Sequence, residues 1–442
     1  MHSPTFPIVR LPMLENVTLP LLMRVAVPQP RGEPVPDIDA AVDSALAGLK
    51  RLDGLSTGAR IAIGVGSRGI AHLPRVVART AAFLKGRGFQ PFIVPAMGSH
   101  GGGTAEGQAA VLAQLGVSEA AVGAPVEATM EVAEYGQTEQ GIPCCLDRNA
   151  AEAGGVIVIG RVKSHTSFDR PIESGLVKMV AVGLGKVQGA HHVHRLGPRG
   201  LSEVLPRIAA ISLAHAPFVG GLALVENAHK DFVAVEGVEP ENFFEADERL
   251  LKLAKSMLAR LPFDRLDALI VEWIGKEISG SGMDYAVTGR TDIRGVPNPP
   301  TPLIHKIGVL GVTPESRGNG VGVGVANFIT REVVEGLDLM AMYTNSITAA
   351  ITEKAFIPIV LPDERDLVRA CVRTGWSPDP AEARLCVIRS TLHLNEMLVS
   401  PSLYAEIKGR EGVEVLEDSG PIRFSEDGRL LNRLSGRNGP LP

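Results

Sequence analysis

Cysteine is scarce in this chain. Cys144, Cys145, Cys371 and Cys386 are the only four in 442 residues, and no two are spaced as CxxC. A thiolate zinc site or an iron–sulfur cluster therefore has no support, and the low count suits a reducing compartment. Cys144 and Cys145 lie in an apolar run and read as buried thiols. An excess of positive charge is also missing. With 44 Lys and Arg against 49 Asp and Glu the formal net charge is −5, which favours neither nucleic acid nor an anionic membrane as partner. No apolar run reaches the roughly 18 residues of a membrane span. The opening stretch MHSPTFPIVRLPMLENVT places Pro and Glu where a signal peptide needs unbroken apolar sequence. The expectation from these absences is a cytoplasmic protein.

What is present is an ordinary globular composition, 45% hydrophobic and 21% charged. A chain of this length is expected to form two domains. Its 49 glycines and 32 prolines gather at strand–loop–helix junctions. From residue 59 a βα rhythm begins. Apolar strands are expected at 59–66, 89–97, 154–160, 221–226, 267–272, 306–313 and 356–362, with helices at 71–85, 104–115 and 240–261 between them. Continuous apolar strands alternating with helices imply parallel sheets covered on both faces. The fold class expected is α/β: two α/β domains with mainly parallel sheets and an active-site cleft between them. The first, residues 1–262, would carry cofactor and catalysis; the second, 263–442, would close over the substrate. The tail after about Gly420 is polar and reads as loosely held.

Three histidines and a lysine stand out against this frame. His100, in MGSHGGGT, and His165, in RVKSHTSF, each follow a buried-strand pattern. Ligands bind at the carboxyl ends of strands in open α/β sheets, and two imidazoles there can flank a substrate as acid and base. Thr104 is placed to cap the helix after His100. Lys178 lies in the apolar stretch ESGLVKMVAVGLGK, where burial would lower its pKa and make it a nucleophile or an attachment point. Lys186, eight residues on, reads as the lysine that reaches solvent. His191, His192 and His194 are close enough together for metal binding, although no HExxH motif is present. GVGSRG at 64–69 matches GxGxxG and follows a strand, but the acidic residue expected at the end of the next strand is absent. Arg68 within it is placed to hold a carboxylate or phosphate. In the second half, Lys276, Asp284 and Arg290 follow a strand and are expected to reach a substrate carboxylate. Asn227, His229 and Lys230 mark another strand end.

Arg68, His100, His165, Lys178 and His194, in this order and spacing, resemble the lactate racemase superfamily of nickel-dependent 2-hydroxyacid racemases and epimerases. The resemblance is clearest over about 60–195. It implies a nickel pincer nucleotide (pyridinium-3-thioamide-5-thiocarboxylic acid mononucleotide) joined to Lys178, with His194 as the nickel ligand. Ser67 and Gly98 would be further cofactor contacts. His100 and His165 would be the acid–base pair, and Arg68 would hold the substrate carboxylate. It also implies cofactor-making proteins as partners; a homo-oligomer is compatible with it. The chain departs from the family where Val65 replaces an aspartate; the family's second-domain glutamine and lysine are not plainly present, and Arg290 is expected to stand in for them. Lactate, a larger 2-hydroxyacid and an aldonic sugar acid all remain open. The alternatives are an NAD-dependent dehydrogenase using GVGSRG, and a non-catalytic metal or cofactor binder.

Overall fold

A computed structural model describes residues 6–67, 69–165 and 169–435. The described chain forms two compact units, one from residues 30–165 and 169–258, the other from 6–29 and 259–435. The division after residue 258 lies close to the expected boundary at 262, but residues 6–29 fall in the second unit rather than the first. Strand β1 (Leu22–Ala26) pairs antiparallel with two strands from the far end of the chain, so its backbone groups and the buried Leu22 and Val25 belong to the second unit's sheet.

The first unit is built on a five-stranded sheet. Its strands are β2 (Arg60–Val65), β3 (Gln90–Pro95), β6 (Gly155–Arg161), β7 (Phe218–Glu226) and β8 (Phe232–Val238), in the order β3-β2-β6-β7-β8. A separate hairpin of β4 (Val132–Gln137) and β5 (Pro143–Asp147) interrupts the sequence between β3 and β6. All pairs are parallel except β7 with β8. Apart from the exposed first residues of β2 and β3, the strand interiors are buried on both faces, as their continuous apolar sequences require. The helix Leu73–Gly86 covers one face with Leu73, Val76, Val77, Thr80, Ala81 and Leu84, a stripe at helical spacing. Thr104 caps the helix Ala105–Gln114 by accepting from the Gly107 N–H at 3.1 Å, as expected.

The chain leaves β2 toward β3 on one side and later places β6 on the other. This reversal of strand order opens a crevice outside the carboxyl ends of β2, β3 and β6, the place where open α/β sheets take ligands.

The second unit has an eight-stranded sheet ordered β12-β11-β10-β9-β13-β14-β1-β15. Its strands are β9 (Arg265–Val271), β10 (Leu303–Val309), β11 (Phe328–Thr330), β12 (Ile359–Leu361), β13 (Leu385–Ser390), β14 (His393–Val399) and β15 (Glu414–Gly420). The pairs from β12 through β13 are parallel and the rest antiparallel. The tail is not loose as far as Ser435. Leu430 and Leu434 are buried, and the buried Glu272 carboxylate accepts from the Leu434 and Ser435 N–H groups at 2.6 and 2.9 Å. A buried carboxylate needs donors, and this segment supplies them. Among the described residues no helix is long and apolar enough to cross a membrane.

Candidate active site

Three loops leave the sheet at the crevice: Ser67 follows β2, Gly98 and His100 follow β3, and His165 follows β6. Ser67 Oγ stands 2.5 Å from His100 Nδ1, joining the first two loops. Arg68, expected on the substrate carboxylate, lies outside the described residues. Gly98 has φ +60° and its N–H donates to the Gly183 carbonyl at 3.0 Å. A Cβ there would lie 3.2 Å from both the Ala190 Cβ and the Val182 oxygen. Conformation and packing thus both demand glycine, because the His100 loop rests on the segment that carries Lys178 and His194.

That segment begins as the short helix Leu176–Lys178, widens into a π-helical turn at Met179–Gly183, and continues as the helix Lys186–His194. Its first turn is capped from outside. The buried Asp247, on the helix Phe243–Ser256, accepts from the Leu176 and Val177 N–H groups at 2.9 and 2.8 Å. The close approach leaves no room for a side chain at Gly175. Burial pushes the Asp247 carboxyl up to about 6, against the pull of the two N–H groups. Met179 packs over Gly66 and Gly160, so the Lys178 helix lies across the ends of β2 and β6.

Lys178 and His194 are electrostatically coupled. Burial, and after it the Lys178 charge, pushes the His194 imidazole down to about 4. At neutral pH His194 is therefore uncharged, the form that ligates a metal. Burial likewise pushes His192 down, but His191 is exposed. No group of three His, Cys, Asp or Glu side chains among the described residues is arranged to hold a metal ion, so the His191–His194 patch does not form a cluster.

The His165 loop is held by the buried Glu173. Its carboxylate accepts from the backbone N–H of His165 and, at 2.9 Å, from that of Arg170, and pairs with Lys255 at 2.5 Å. The Lys163 N–H donates to the Ser174 carbonyl at 3.0 Å, which fastens this loop to the start of the Lys178 helix.

Two expectations about this region change. GVGSRG does not open a helix directly, because the helix begins only at Leu73 and His72 before it adopts φ +54°. Glu226, paired with Arg161, accepts from the Ala71 N–H at 2.5 Å. A carboxylate thus takes the N–H of Ala71, just after the glycine-rich stretch. Lys186 does not reach solvent: it is 0% exposed, with Nζ 2.7 Å from Asp147, 2.7 Å from the Pro95 carbonyl and 3.1 Å from Gln108 Oε1. Asn227 forms a turn rather than a site; its Oδ1 accepts from the N–H groups of His229 and Asp231 at 2.8 and 2.9 Å.

In the second unit, Arg290 is not available as a carboxylate clamp. Its guanidinium donates to Asn327 Oδ1 at 2.8 Å and to the carbonyls of Ile304, His305 and Val325, bracing strand β10. Asp284 caps the short helix Tyr285–Thr288 through the Ala286 N–H at 2.9 Å. Lys276 donates to Asn345 Oδ1 at 2.8 Å and to the Gly280 carbonyl at 3.0 Å. Asp284 and Lys276 both act on Lys354, only 4% exposed, whose amine is pushed down to about 8 by burial first, Asp284 opposing and Lys276 adding. The sequence reading did not single out Lys354; a lysine in TEKAF carries no local sign of burial.

Residues 23–199 match the family described as the lactate racemase N-terminal domain. This segment is similar to lactate racemase N-terminal domains. The match contains every first-unit residue expected at the site, from Ser67 to His194. No curated protein matches the chain. Solved structures that resemble it include a Thermotoga maritima protein from a structural-genomics programme, with 15% identity, a TM-score of 0.46 and coverage of 64% of this chain and 73% of the other. They also include the lactate racemase apoprotein from Thermoanaerobacterium thermosaccharolyticum, with 12% identity, a TM-score of 0.48 and coverage of 87% and 96%. Within the matched segment, the residues missed by sequence reasoning are those that hold the loops, Glu173, Asp147 and Gln108. The Asp247 cap, missed likewise, comes from beyond the matched segment.

Proposed function

We propose that the chain is a racemase or epimerase acting at C2 of a 2-hydroxyacid. One observation carries this reading: the His100 loop is seated on the segment that bears the coupled pair Lys178 and His194, over the carboxyl ends of the central strands. Lys178 would hold the nickel pincer nucleotide covalently and His194 would ligate its nickel, with Ser67 and Gly98 against the nucleotide. The residues fit such a group. One neutral imidazole beside an amine supplies a single protein ligand, which suits a metal that arrives with its other donors attached. The bound group would supply a reversible acceptor for the hydrogen at C2 as hydride, chemistry that no side chain offers.

The chain's own work is orientation and proton transfer. As hydrogen leaves C2, the hydroxyl proton must leave too. A base is needed on each side of the planar carbon, one for each enantiomer, and His100 and His165 fill these two roles. Arg68 would orient the substrate carboxylate. The buried free cysteines suit a reducing, cytoplasmic setting.

The test is production of the protein together with cofactor-making enzymes, followed by intact mass and chiral analysis of a 2-hydroxyacid panel that includes aldonic acids. The expected result is a mass increment localised to Lys178, one nickel per chain, and interconversion that keeps the substrate's own hydrogen at C2 in deuterated water. No increment at Lys178 combined with no interconversion would sink the reading.

A further inference from the structure

We propose that Lys186 is a positioning residue for His100, acting through the side-chain amide of Gln108. This rests on the reading of His100 as an acid–base residue. Lys186 occupies the corner between the stretch that carries Lys178 and the helix that carries His194, and it turns that corner with φ +55°. The left-handed region is unfavourable for a lysine and persists where the surroundings hold the residue in place. Here the side chain does so. Its ammonium, paired with Asp147, reaches the Pro95 carbonyl at the end of β3 and Gln108 Oε1 on the helix after the His100 loop.

The Gln108 amide then has only one possible orientation. An ammonium can only donate, so the amide oxygen must face Lys186 and the amide nitrogen must face away. That nitrogen donates to the Gly98 carbonyl at 2.8 Å and to the His100 carbonyl at 3.4 Å. The cation thus sets the amide, and the amide sets the backbone from Gly98 to His100. The same backbone is fastened to Gly183 through the Gly98 N–H. One buried charge therefore fixes the distance between the His100 loop and the segment carrying Lys178 and His194. Packing alone does not ask for a charge at this place, since two apolar side chains of similar volume fill such a space as well.

Two variants test the proposal. Gln108→Glu keeps the shape and the acceptor facing Lys186 but removes both donors to the loop. Lys186→Met combined with Asp147→Asn removes both buried charges while keeping an acceptor for the Ala150 N–H that Asp147 caps. Amide hydrogen exchange on the apoprotein reads the loop; kcat and KM on the loaded enzyme read its consequence. The expected result in both variants is exchange at Gly98, His100 and Gly103 faster by about 10-fold, with the helix Leu73–Gly86 unchanged. In the loaded enzyme kcat falls by about 10²-fold while KM stays within about twofold, as loss of alignment without loss of binding requires. Wild-type exchange at these amides in both variants overturns the proposal. So does faster exchange with undiminished kcat. A wild-type enzyme that interconverts no 2-hydroxyacid removes the functional reading instead, and exchange alone then decides whether Lys186 positions the loop.

Discussion

The two histidine loops are held by opposite means. The His100 loop is governed from inside, by Lys186 and Asp147, whose side chains are both 0% exposed. Burial pushes the Lys186 amine down and the Asp147 carboxyl up, each opposed by the other's charge. The His165 loop is held by Glu173, whose partner Lys255 is 25% exposed and shared with Asp169, 79% exposed. A buried carboxylate reached by a surface lysine is cheaper to assemble and easier to disturb. A fully desolvated pair is costly to assemble, but breaking it is costlier still. The contrast sets one loop on a pair of fully buried charges and the other on a buried carboxylate whose lysine partner meets solvent.

The largest effect should come from the imidazoles themselves. His100→Ala and His165→Ala are each expected to lower turnover by about 10²–10⁴-fold while leaving nickel content and thermal midpoint unchanged. Full activity in either would end the assignment for that residue. Next come the anchors. Lys186→Met alone strands a buried Asp147 and should cost about 3–5 kcal/mol in urea unfolding. Lys255→Met should cost less, ~1–2 kcal/mol, because Glu173 keeps its two N–H donors and the lost partner Lys255 is itself partly solvated. Equal losses would erase the contrast between the loops.

A smaller, pH-dependent effect separates His194 from Asp247. His194 is depressed from 6.5 to about 4, so between those values the unfolded chain holds its proton and the native protein does not. Its contribution is present above about 6.5 and lost as pH falls through 4. Asp247 is raised from 3.8 to about 6, so the native state holds this proton more tightly, and its contribution fades as pH rises through 6. Acidifying the apoprotein from pH 6.5 to 4 should therefore cost His194→Gln less stability than wild type, and Asp247→Asn more. The smallest effect is salt. Raising ionic strength to about 1 M should loosen exchange at the His165 amide and leave Gly98 and His100 unaffected, since buried pairs are screened far less.

Much of this site was legible in the sequence because its signals are local. Unbroken apolar runs mark β2, β3 and β6, and His100 and His165 follow two of them directly. Thr104 stands where a cap is needed. What was illegible depends on partners far along the chain. Lys186 read as solvent-reaching because nothing near it is acidic; Asp147 and Gln108 come from other elements. Asp247 lies in an amphipathic helix and looks like one more surface acid until it meets the Leu176 and Val177 N–H groups. Arg290 read as a substrate clamp because a loop arginine after a strand is indistinguishable from one that braces backbone carbonyls. The assignment of residues 6–29 to the first domain failed for the same reason, since β1 carries no mark of partners almost four hundred residues away.

That strand imposes an order on biosynthesis. Leu22–Ala26 leaves the ribosome long before its two neighbours, His393–Val399 and Glu414–Gly420. At typical translation speeds the wait is on the order of tens of seconds. Once residue 258 has emerged, every strand of the first unit is present, while β1 ahead of them stays without neighbours. A nascent chain stalled between residues 258 and 393 would carry every strand of the first unit and, ahead of them, an unmatched strand, the condition in which ribosome-associated chaperones are most needed.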